Sequence, residues 1–311
     1  MNIKISEIWF GVFNPTAGNI NHKKVIENIK NKLNLSNINF EIYTTKHKGD
    51  AVKIVRNKIT LGYRKFIAIG GDGTVHEVVN GFMRQGIVPS DQLVFATIPI
   101  GTGNDWAKHH SIPCNIDSAI KILKAKKTSL QDIGLAIYQS NDVLEKQYFN
   151  NVAGLAYDAF VVKKLEQRKS KPNKFIYIFS VLSYLFQYKL QKAKIKIDHH
   201  EISGKFYTIN IGICKYSGGG MSLVPHAVHD DGLFAVTYAK EISKLSIVFN
   251  TFRFYNETLI EHKKITGIQA KSISINSNDN TPIDLELDGE LVGHTPVQFE
   301  LIPNAIQFIR G

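Results

Sequence analysis

The chain has 311 residues, of which 43% are hydrophobic and 21% are charged. These proportions are ordinary for a folded protein and exclude a mostly disordered chain, a collagen-like fibre and a coiled coil. The net charge of +11 favours anionic partners, namely nucleotides, nucleic acids or acidic lipid surfaces, although a generally basic host proteome would explain it equally well.

The cysteines and the apolar stretches predict a location. Cys114 and Cys214 are too few for a disulfide framework and lack the spacing of a metal site, so we expect a reducing, cytoplasmic setting. The first residues contain no apolar core of a signal peptide. The longest apolar stretch, residues 175–186, is shorter than the roughly 20 residues of a membrane span, so we expect no transmembrane helix.

The first 135 or so residues alternate strand-like and helix-like patterns. Apolar and β-branched runs predict strands at 7–15, 38–45, 65–71 and 92–101. Amphipathic spacing predicts helices at 23–33, 50–60 and 75–83, and a further helix that begins near residue 104. These repeated units predict an α/β domain whose parallel sheet is covered on both faces.

The pattern changes near Gln131, after which most segments alternate as strands. The links between them are mostly too short for crossover helices, which indicates an antiparallel β-sandwich-like domain with helical insertions at 158–190 and 242–257. The predicted fold class is therefore α/β plus all-β, with domains at 1–133 and 134–300. We expect residues 301–311 to return to the first domain.

Two glycine-rich loops each follow a predicted strand and open a predicted helix. In GGDGT, residues 70–74, the glycines let backbone N–H groups approach an anion, and Asp72 could hold Mg²⁺ or accept a proton. In IPIGTGND, residues 98–105, Thr102, Asn104 and Asp105 offer polar groups to a ligand. The alternative is a pair of tight turns in which Thr74, Asn104 or Asp105 only caps a helix.

These loops are expected to share one site, because neighbouring strand ends of a doubly wound sheet face the same crevice. NPTAG, residues 14–18, provides a third loop of small residues, which by itself is only a turn. The chain lacks both G-x-x-x-x-G-K-[ST] and a G-x-G-x-x-G at this position, so neither a P-loop nor the usual dinucleotide fingerprint is present.

The motifs NPTAG, GGDGT followed by VHEVVNGF, and IPIGTGNDWA resemble those of the diacylglycerol kinase catalytic family, which includes bacterial soluble lipid kinases and sphingosine and ceramide kinases. The similarity continues at residues 150–160, 218–236 and 287–290, in order along nearly the whole chain. It implies an ATP-binding domain, a β-rich lipid-substrate domain and an active site between them. The implied reaction transfers the γ-phosphoryl group of ATP, with Mg²⁺, to the hydroxyl of diacylglycerol or a related long-chain lipid alcohol.

The resemblance also implies residue roles. The positions that match the family's nucleotide-binding positions, together with the neighbouring polar loop residues, are Asn14, Pro15, Thr16, Ala17, Gly18, Thr45, Gly70, Gly71, Asp72, Gly73, Thr74, Val75, His76, Thr102, Asn104 and Asp105. Asp72 and Asp105 match acidic positions linked to the catalytic Mg²⁺, and Asp132 is expected to join them through water.

Two Asp-Gly segments match further positions of the family. Glu290, in LDGE, matches the proposed proton acceptor, with Asp72 as the rival base. Asp231 matches the side-chain ligand of a structural Mg²⁺, together with the main-chain carbonyls of Val228 and Leu233. Simple Asp-Gly hairpin turns, without metal or catalysis, are the alternative in both places.

Residues 163–196 hold ten lysines or arginines and one acid around an aromatic centre. This composition predicts peripheral association with an anionic membrane surface. The alternative is an amphipathic helix that packs on the β-rich domain, with lysines that are merely solvated.

Two other functions compete with lipid phosphorylation. An NAD kinase-like enzyme shares the GGDG loop, but HEVVNGF and GTGNDWA argue against it, and a non-catalytic lipid-binding module is disfavoured because all the acidic positions are present. The histidines are scattered and lack the spacing of a metal site. No nucleic-acid-binding signature is present, so we expect no nucleic-acid partner. The resemblance implies a lipid substrate. The acceptor lipid and the oligomeric state, a homodimer included, stay open.

Overall fold

The structure, a computed structural model, describes residues 4–168, 180–181, 183–279 and 281–311. The chain divides into two compact units. The first unit comprises Met1–Asp132 and Pro303–Gly311, and the second comprises Ile133–Ile302.

The first unit alternates strands and helices along the chain, as the sequence pattern predicted. Its strands and helices are β1 (Trp9–Phe13), α1 (His22–Leu35), β2 (Phe40–Thr44), α2 (Asp50–Thr60), β3 (Lys65–Gly70), α3 (Asp72–Met83), β4 (Val94–Pro99), α4 (Asp105–His109) and α5 (Ile116–Ala125). The α/β prediction is confirmed.

The sheet of the first unit is parallel, with β1 between β2 and β3 and with β4 on the far side of β3. The end of the last strand of the chain, β16 (Glu290–Ile309), joins β4 in parallel, with Gln307 opposite Val94. Residues 303–311 therefore extend this sheet. All these strands run in the same direction, so the loops after β1, β2, β3 and β4 emerge at one edge.

Side chains alternate across this sheet, as its twofold period requires. On one face, α1 and α5 bury Leu33 and Leu123 against Trp9 and Ile67. The other face carries a series of edge-to-face ring contacts that links Phe10, Phe66, Phe82, Phe95, Trp106 and Phe308. Each face thus has its own helical cover, and the strand ends are held rigidly.

The second unit is mainly antiparallel. Its elements are β5 (Thr128–Ser140), β6 (Val143–Phe149), β7 (Val152–Ala156), α6 (Tyr157–Glu166), β8 (Gln191–Ile197), β9 (His200–Gly212), β10 (Tyr216–Ser217), β11 (Met221–Ser222), β12 (Phe234–Lys240), α7 (Lys244–Phe249), β13 (Ile265–Ala270), β14 (Ser272–Ser277), β15 (Asp284–Leu287) and the first part of β16. Strand β9 pairs with β7, β8 and β12, all antiparallel. Phe149, Phe234 and Phe299 contact one another in its core.

Three sequence predictions are refined here. Residues 146–156, which read as one strand in the sequence, form two, because Asn150 and Asn151 separate β6, which pairs with β5, from β7, which pairs with β9 and β15. The helix predicted at 242–257 is α7 followed by a 3₁₀ turn, Thr251–Phe254. Of the helical insertion predicted at 158–190, α6 occupies the start, while residues 169–179 and 182, with half of the aromatic stretch 175–186, lie outside the described residues.

Within the part of the chain that the structure describes, no helix has both the length and the apolar content needed to cross a membrane.

Candidate active site

The GGDGT loop lies at the centre of the loop edge in the first unit, between β3 and α3. Ile100 N donates to Gly70 O at 2.8 Å, which ties this loop directly to the one after β4. A Cβ on Gly71 would lie 3.1 Å from the Cα of Gly101, and one on Gly101 would lie 2.5 Å from the Cα of Gly71. The two backbones approach so closely that neither position accommodates a side chain without a shift.

Asp72 forms a second link between the two loops. Its Oδ1 accepts a hydrogen bond from the backbone N–H of Trp106 at 3.0 Å, in the first turn of α4. Trp106 is fully buried, and its indole N–H donates to Gln131 Oε1 at 2.9 Å. The carboxylate of Asp72 is thus positioned by a buried anchor that the sequence analysis did not identify.

The NPTAG loop packs against both of the others. Asn14 Nδ2 donates to the hydroxyl of the buried Thr74 at 3.2 Å, and Asn14 Oδ1 accepts from the backbone N–H of Thr16 at 2.9 Å. Gly18 has a φ of +71°, and a Cβ at this position would overlap the carbonyl oxygen of Ile100. The structure therefore brings the three predicted loops together at one edge.

The alternative roles as helix caps are only partly realised. Asn104 precedes α4 with a left-handed φ of 55°, but its side chain turns back to Gly101, accepting from Gly101 N at 3.1 Å and donating to Gly101 O at 2.8 Å. Among the described residues Asn104 makes no side-chain cap hydrogen bond, and the N-cap position of α3 is occupied by Gly71 instead of Thr74. These polar residues maintain the loop conformations, and Thr102 and Gly73 are exposed beside them.

Thr45 follows β2, and its backbone N–H and hydroxyl both donate to Phe13 O, at 2.9 and 3.3 Å. The nearby Asp50, at the start of α2, accepts from Lys46 N at 2.8 Å, while Glu77 on α3 accepts from Gly49 N at 2.8 Å. These contacts place the segment TKHKGDA, residues 45–51, at the same edge as the other loops.

For three of the predicted residues, the side chain makes contacts inside the protein instead of facing a ligand. The side chains of Val75 and His76 are buried inside the first unit, and His76 is hydrogen-bonded by Asn80, so only their backbone faces the loop. Asp132 is fully buried and its Oδ1 accepts from Asn304 N at 2.7 Å, an anchor for the returning C-terminal segment.

In the second unit, LDGE forms the turn between β15 and β16, with φ of 51° at Asp288 and 85° at Gly289. Asp288 accepts three backbone hydrogen bonds, from Asn150 N, Asn151 N and Val152 N at 2.9–3.1 Å. These contacts support a structural role for Asp288 in the turn. Glu290 follows the turn as the half-buried first residue of β16.

Glu286 is a buried acid beside this turn. Its Oε2 accepts from Gly289 N at 2.7 Å. Burial raises the pKa of Glu286 well above its usual range, and the nearby Asp158 and Asp288 carboxylates add to the shift. A buried acid with a raised pKa thus accepts a backbone hydrogen bond from the turn that precedes Glu290.

The loop that carries Asp231 lies elsewhere in the second unit. Asp231 Oδ1 accepts from Leu233 N at 3.0 Å, and Oδ2 accepts from the Gln269 amide on β13 at 2.9 Å. Val228 is exposed. This carboxylate closes its own turn, and the carboxylate and carbonyl oxygens around it are of the type that Mg²⁺ prefers.

The sequence analysis missed a cavity inside the second unit. Its walls are largely apolar and include Leu223, Ile242, Ile247, Phe254, Leu259 and Ile265, and its polar groups include Asp158, Thr208, Asn210 and Thr237. The Thr208 hydroxyl donates to Asp158 Oδ2. Asn210 Oδ1 and Thr237 Oγ1 are buried and make no hydrogen bond within the described residues. An apolar chamber with uncompensated polar groups is typical of a site for an amphiphilic ligand.

Asp158 lies half-buried in the wall of this cavity. Burial raises the pKa of its carboxyl to about 6, although hydrogen bonds from Thr208 and Asn210 partly oppose the shift. The available sequence signal was an acid within the apolar stretch GLAYDAFVV, which includes the start of α6. That signal had no identifiable partner, because Thr208, Asn210 and Thr237 come from strands 50 or more residues away.

Two protein-family models match the chain. The model of the diacylglycerol kinase catalytic domain matches residues 9–136, and that of the YegS C-terminal NAD kinase beta sandwich-like domain matches residues 151–310. Together they cover both units.

Similar proteins point the same way. The diacylglycerol kinase of Staphylococcus haemolyticus is 29% identical over 289 residues, which cover 93% of this chain and 83% of the relative. That of Staphylococcus aureus strain MRSA252 is 28% identical over 291 residues, covering 93% and 87%. A crystal structure of a diacylglycerol kinase from Bacillus anthracis superposes with a TM-score of 0.74 at 24% identity, covering 98% of this chain and 97% of its own, and so supports the fold.

A glycine-loop α/β unit followed by an antiparallel β unit, both matched by these models, defines a lipid kinase. The chain belongs to the diacylglycerol kinase catalytic family, and the recognition made from its motifs is confirmed.

Proposed function

We propose that this lipid kinase transfers the γ-phosphoryl group of ATP, with Mg²⁺, to the hydroxyl of diacylglycerol or a closely related long-chain alcohol. The observation that carries the proposal is the convergence of the NPTAG, GGDGT and GTGND loops at one edge of the first unit, through the Asn14–Thr74, Gly71–Gly101 and Asp72–Trp106 contacts. The relatives named above as diacylglycerol kinases support the choice of acceptor.

The loop edge suits the phosphates of a nucleotide. Gly71 and Gly101 let the two loops approach each other, and the first turn of α3 directs its partial positive charge towards the loop. Asp72 and Asp105 would hold Mg²⁺, which when bound neutralises charge on the phosphates. Thr16, Thr45 and Thr102 are the hydroxyls that we expect to contact the nucleotide.

The cavity of the second unit suits the acceptor. Its apolar walls would bury the hydrocarbon chains, while Asn210 Oδ1 and Thr237 Oγ1 would receive hydrogen bonds from a polar headgroup. Burying the chains there also holds a poorly soluble alcohol in one orientation. Such positioning of the acceptor hydroxyl contributes to the rate of phosphoryl transfer.

Glu290 is the proton acceptor that we favour. One oxygen of Asp72 already accepts from Trp106 N, a contact that positions the loop, whereas Glu290 follows a turn anchored by Asp288 and Glu286. We propose that the Glu290 carboxylate takes the proton of the acceptor hydroxyl as the phosphoryl group is transferred. The structural Mg²⁺ at Asp231, with the carbonyls of Val228 and Leu233, stays part of the proposal.

The test supplies the purified protein with Mg²⁺ and γ-labelled ATP together with diacylglycerol, a sphingoid base or NAD. We expect the label to appear in diacylglycerol. The variant Asp72→Asn should be inactive. The control variant Asp117→Asn, which changes an exposed residue of the same unit, should be fully active. Label in NAD alone would identify an NAD kinase-like enzyme, and lipid binding without any transfer would identify a non-catalytic module. Transfer to the sphingoid base alone would correct the acceptor.

We also propose that the enzyme works in the cytoplasm, at the surface of an anionic membrane, because its acceptor is held in a bilayer.

A further inference from the structure

The exposed aromatic side chains of the described residues are confined to one part of the second unit. They are Phe186, Phe249, Phe252 and Tyr255, with 61%, 76%, 56% and 41% of their surfaces exposed. Leu245 at 64% exposure belongs to the same stretch of chain. Soluble surfaces rarely carry several large apolar side chains in one short segment, and such a patch marks an interaction site.

The segment from α7 through the following 3₁₀ turn has two different faces. Ile247, Asn250, Thr251 and Phe254 line the cavity assigned above to the acceptor. Leu245, Phe249 and Phe252 follow one another at spacings of three or four residues, are exposed and do not line the cavity, which places them on the outer face. One wall of the cavity is therefore covered on its outside by an apolar surface. We call these three residues the outer face.

A hydrogen bond connects the outer face with the remainder of the basic aromatic segment. Lys244 Nζ donates to Phe186 O at 2.8 Å, so the main chain at the exposed Phe186 is tied to the first residue of α7. The sequence analysis had assigned the membrane contact to residues 163–196 alone, and this hydrogen bond adds the segment that begins with α7.

The charges beside this surface favour an anionic partner. Residues 183–189 and 240–264 contain six basic side chains and three acidic ones. Two of the acids, Glu257 and Glu261, are paired with Lys215 and Arg253. An apolar surface beside an excess of cations matches the boundary between acyl chains and anionic headgroups.

We propose that the outer face, together with Phe186, inserts into the headgroup region of an anionic bilayer. The inference rests on the proposed function only in that the cavity behind this face is taken to receive a lipid. Leu245, Phe249 and Phe252 would enter the acyl boundary, while Lys244 and Arg253 remain among the headgroups. The cavity wall would then lie against the membrane from which the acceptor is drawn.

The first experiment measures sedimentation with vesicles of phosphatidylglycerol and phosphatidylcholine that contain no acceptor lipid. For the double variant Phe249→Ser/Phe252→Ser we expect the partition coefficient to fall at least ~10-fold, because two phenylalanine contacts with the acyl region are lost. The matched control is Leu144→Ser, an equally exposed residue at 59% on β6 of the same unit, which should bind like the wild type. Pure phosphatidylcholine vesicles should bind more weakly, and binding to the mixed vesicles should weaken with salt.

A second variant does not depend on losing a side chain. The two native tryptophans, Trp9 and Trp106, are buried. The variant Phe249→Trp therefore adds an exposed tryptophan, whose fluorescence reports on the surroundings of position 249. Its emission should shift to the blue when mixed vesicles are added and stay unchanged with Leu144→Trp. Unshifted emission of Phe249→Trp, or wild-type binding by the double serine variant, would overturn the proposal.

Two further outcomes separate related explanations. If the double serine variant abolishes a concentration-dependent dimer while no variant responds to vesicles, the surface is an interface between two copies and the proposal is overturned. If the emission of Phe249→Trp shifts to the blue with vesicles but the enzyme labels no lipid, the proposed membrane contact is supported and the proposed function is wrong. Activity of the double serine variant on a water-soluble, short-chain acceptor should equal that of the wild type, and its loss would also count against the proposal.

Discussion

The loop edge of the first unit and the cavity of the second unit are built from different parts of the chain. At the loop edge, backbone groups and short polar residues adjoin consecutive strands, and glycines allow them to approach each other. In the cavity, polar side chains from α6, β9 and β12 meet inside an apolar shell. Substitutions should therefore act through backbone geometry at the loop edge, and through burial and charge in the cavity.

The largest effect should come from Asp72, whose carboxylate links two of the loops. Asp72→Asn removes a charge that we assign to Mg²⁺ binding, while its amide oxygen can still accept from Trp106 N. We expect a loss of about 10²–10⁴ in kcat/KM with an unchanged melting temperature. Asp117→Asn is the control, and near wild-type turnover by Asp72→Asn would show that the site is misassigned.

The next test separates the two carboxylates of LDGE. Glu290→Gln should lower kcat by about 10²-fold or more, with little change in the KM for ATP, if Glu290 accepts the proton. Asp288→Asn should mainly lower stability, by about 1–3 kcal/mol, because the charged acceptor of three backbone N–H groups is lost. Steady-state kinetics and thermal melts distinguish the two. A large ATP effect at unchanged kcat would place Glu290 in nucleotide binding instead.

Backbone geometry is tested by Gly71→Val. The new side chain would meet the Gly101 backbone, which a Cβ alone approaches to 3.1 Å. We expect the KM for ATP to rise by roughly tenfold, since overpacking typically costs about 1–3 kcal/mol. The affinity of the isolated protein for the acceptor lipid should stay the same. Equal losses of nucleotide and lipid affinity would indicate general unfolding and would contradict the contrast between the two regions.

The cavity should respond to pH in a way that the loop edge does not. Burial raises the pKa of Asp158 to about 6, from 3.8 for an unperturbed carboxyl. Between these values the native state binds more protons than the unfolded state, so the free energy of unfolding falls as pH rises from about 4 through 6. The difference between the two pKa values lowers the free energy of unfolding by about 3 kcal/mol at neutral pH, relative to its value at low pH.

In Asp158→Asn this part of the pH dependence is absent, so its melting temperature should decline less than that of the wild type between about pH 4 and pH 7. A remaining decline is expected from Glu286, whose pKa is raised in the same direction. Asp142→Asn, in the exposed turn between β5 and β6, serves as the control. Parallel melting curves for Asp158→Asn and the wild type would contradict a raised pKa of Asp158 in the native state.

Much of the first unit was predictable from the sequence. Each of its strands is a short apolar run, each helix has an amphipathic period, and each functional loop lies directly between the two. Because parallel strands end at one edge, adjacency along the chain was enough to predict that the loops would meet. The exceptions were buried supports such as Trp106 and Gln131, whose role depends on the contacts of their side chains.

The sequence by itself therefore determined the family, the α/β-then-β order of the chain and the identity of the glycine loops, because these depend on local periodicity and on contiguous motifs. Only the tertiary structure decided where Asp158, Thr208, Asn210 and Thr237 meet, how Glu286 and Asp288 hold the turn before Glu290, and which side of the segment from α7 onwards is left exposed. Antiparallel pairing brings together residues that are 52 to 134 positions apart. No local pattern records such a pairing, since each strand only specifies its own alternation of faces.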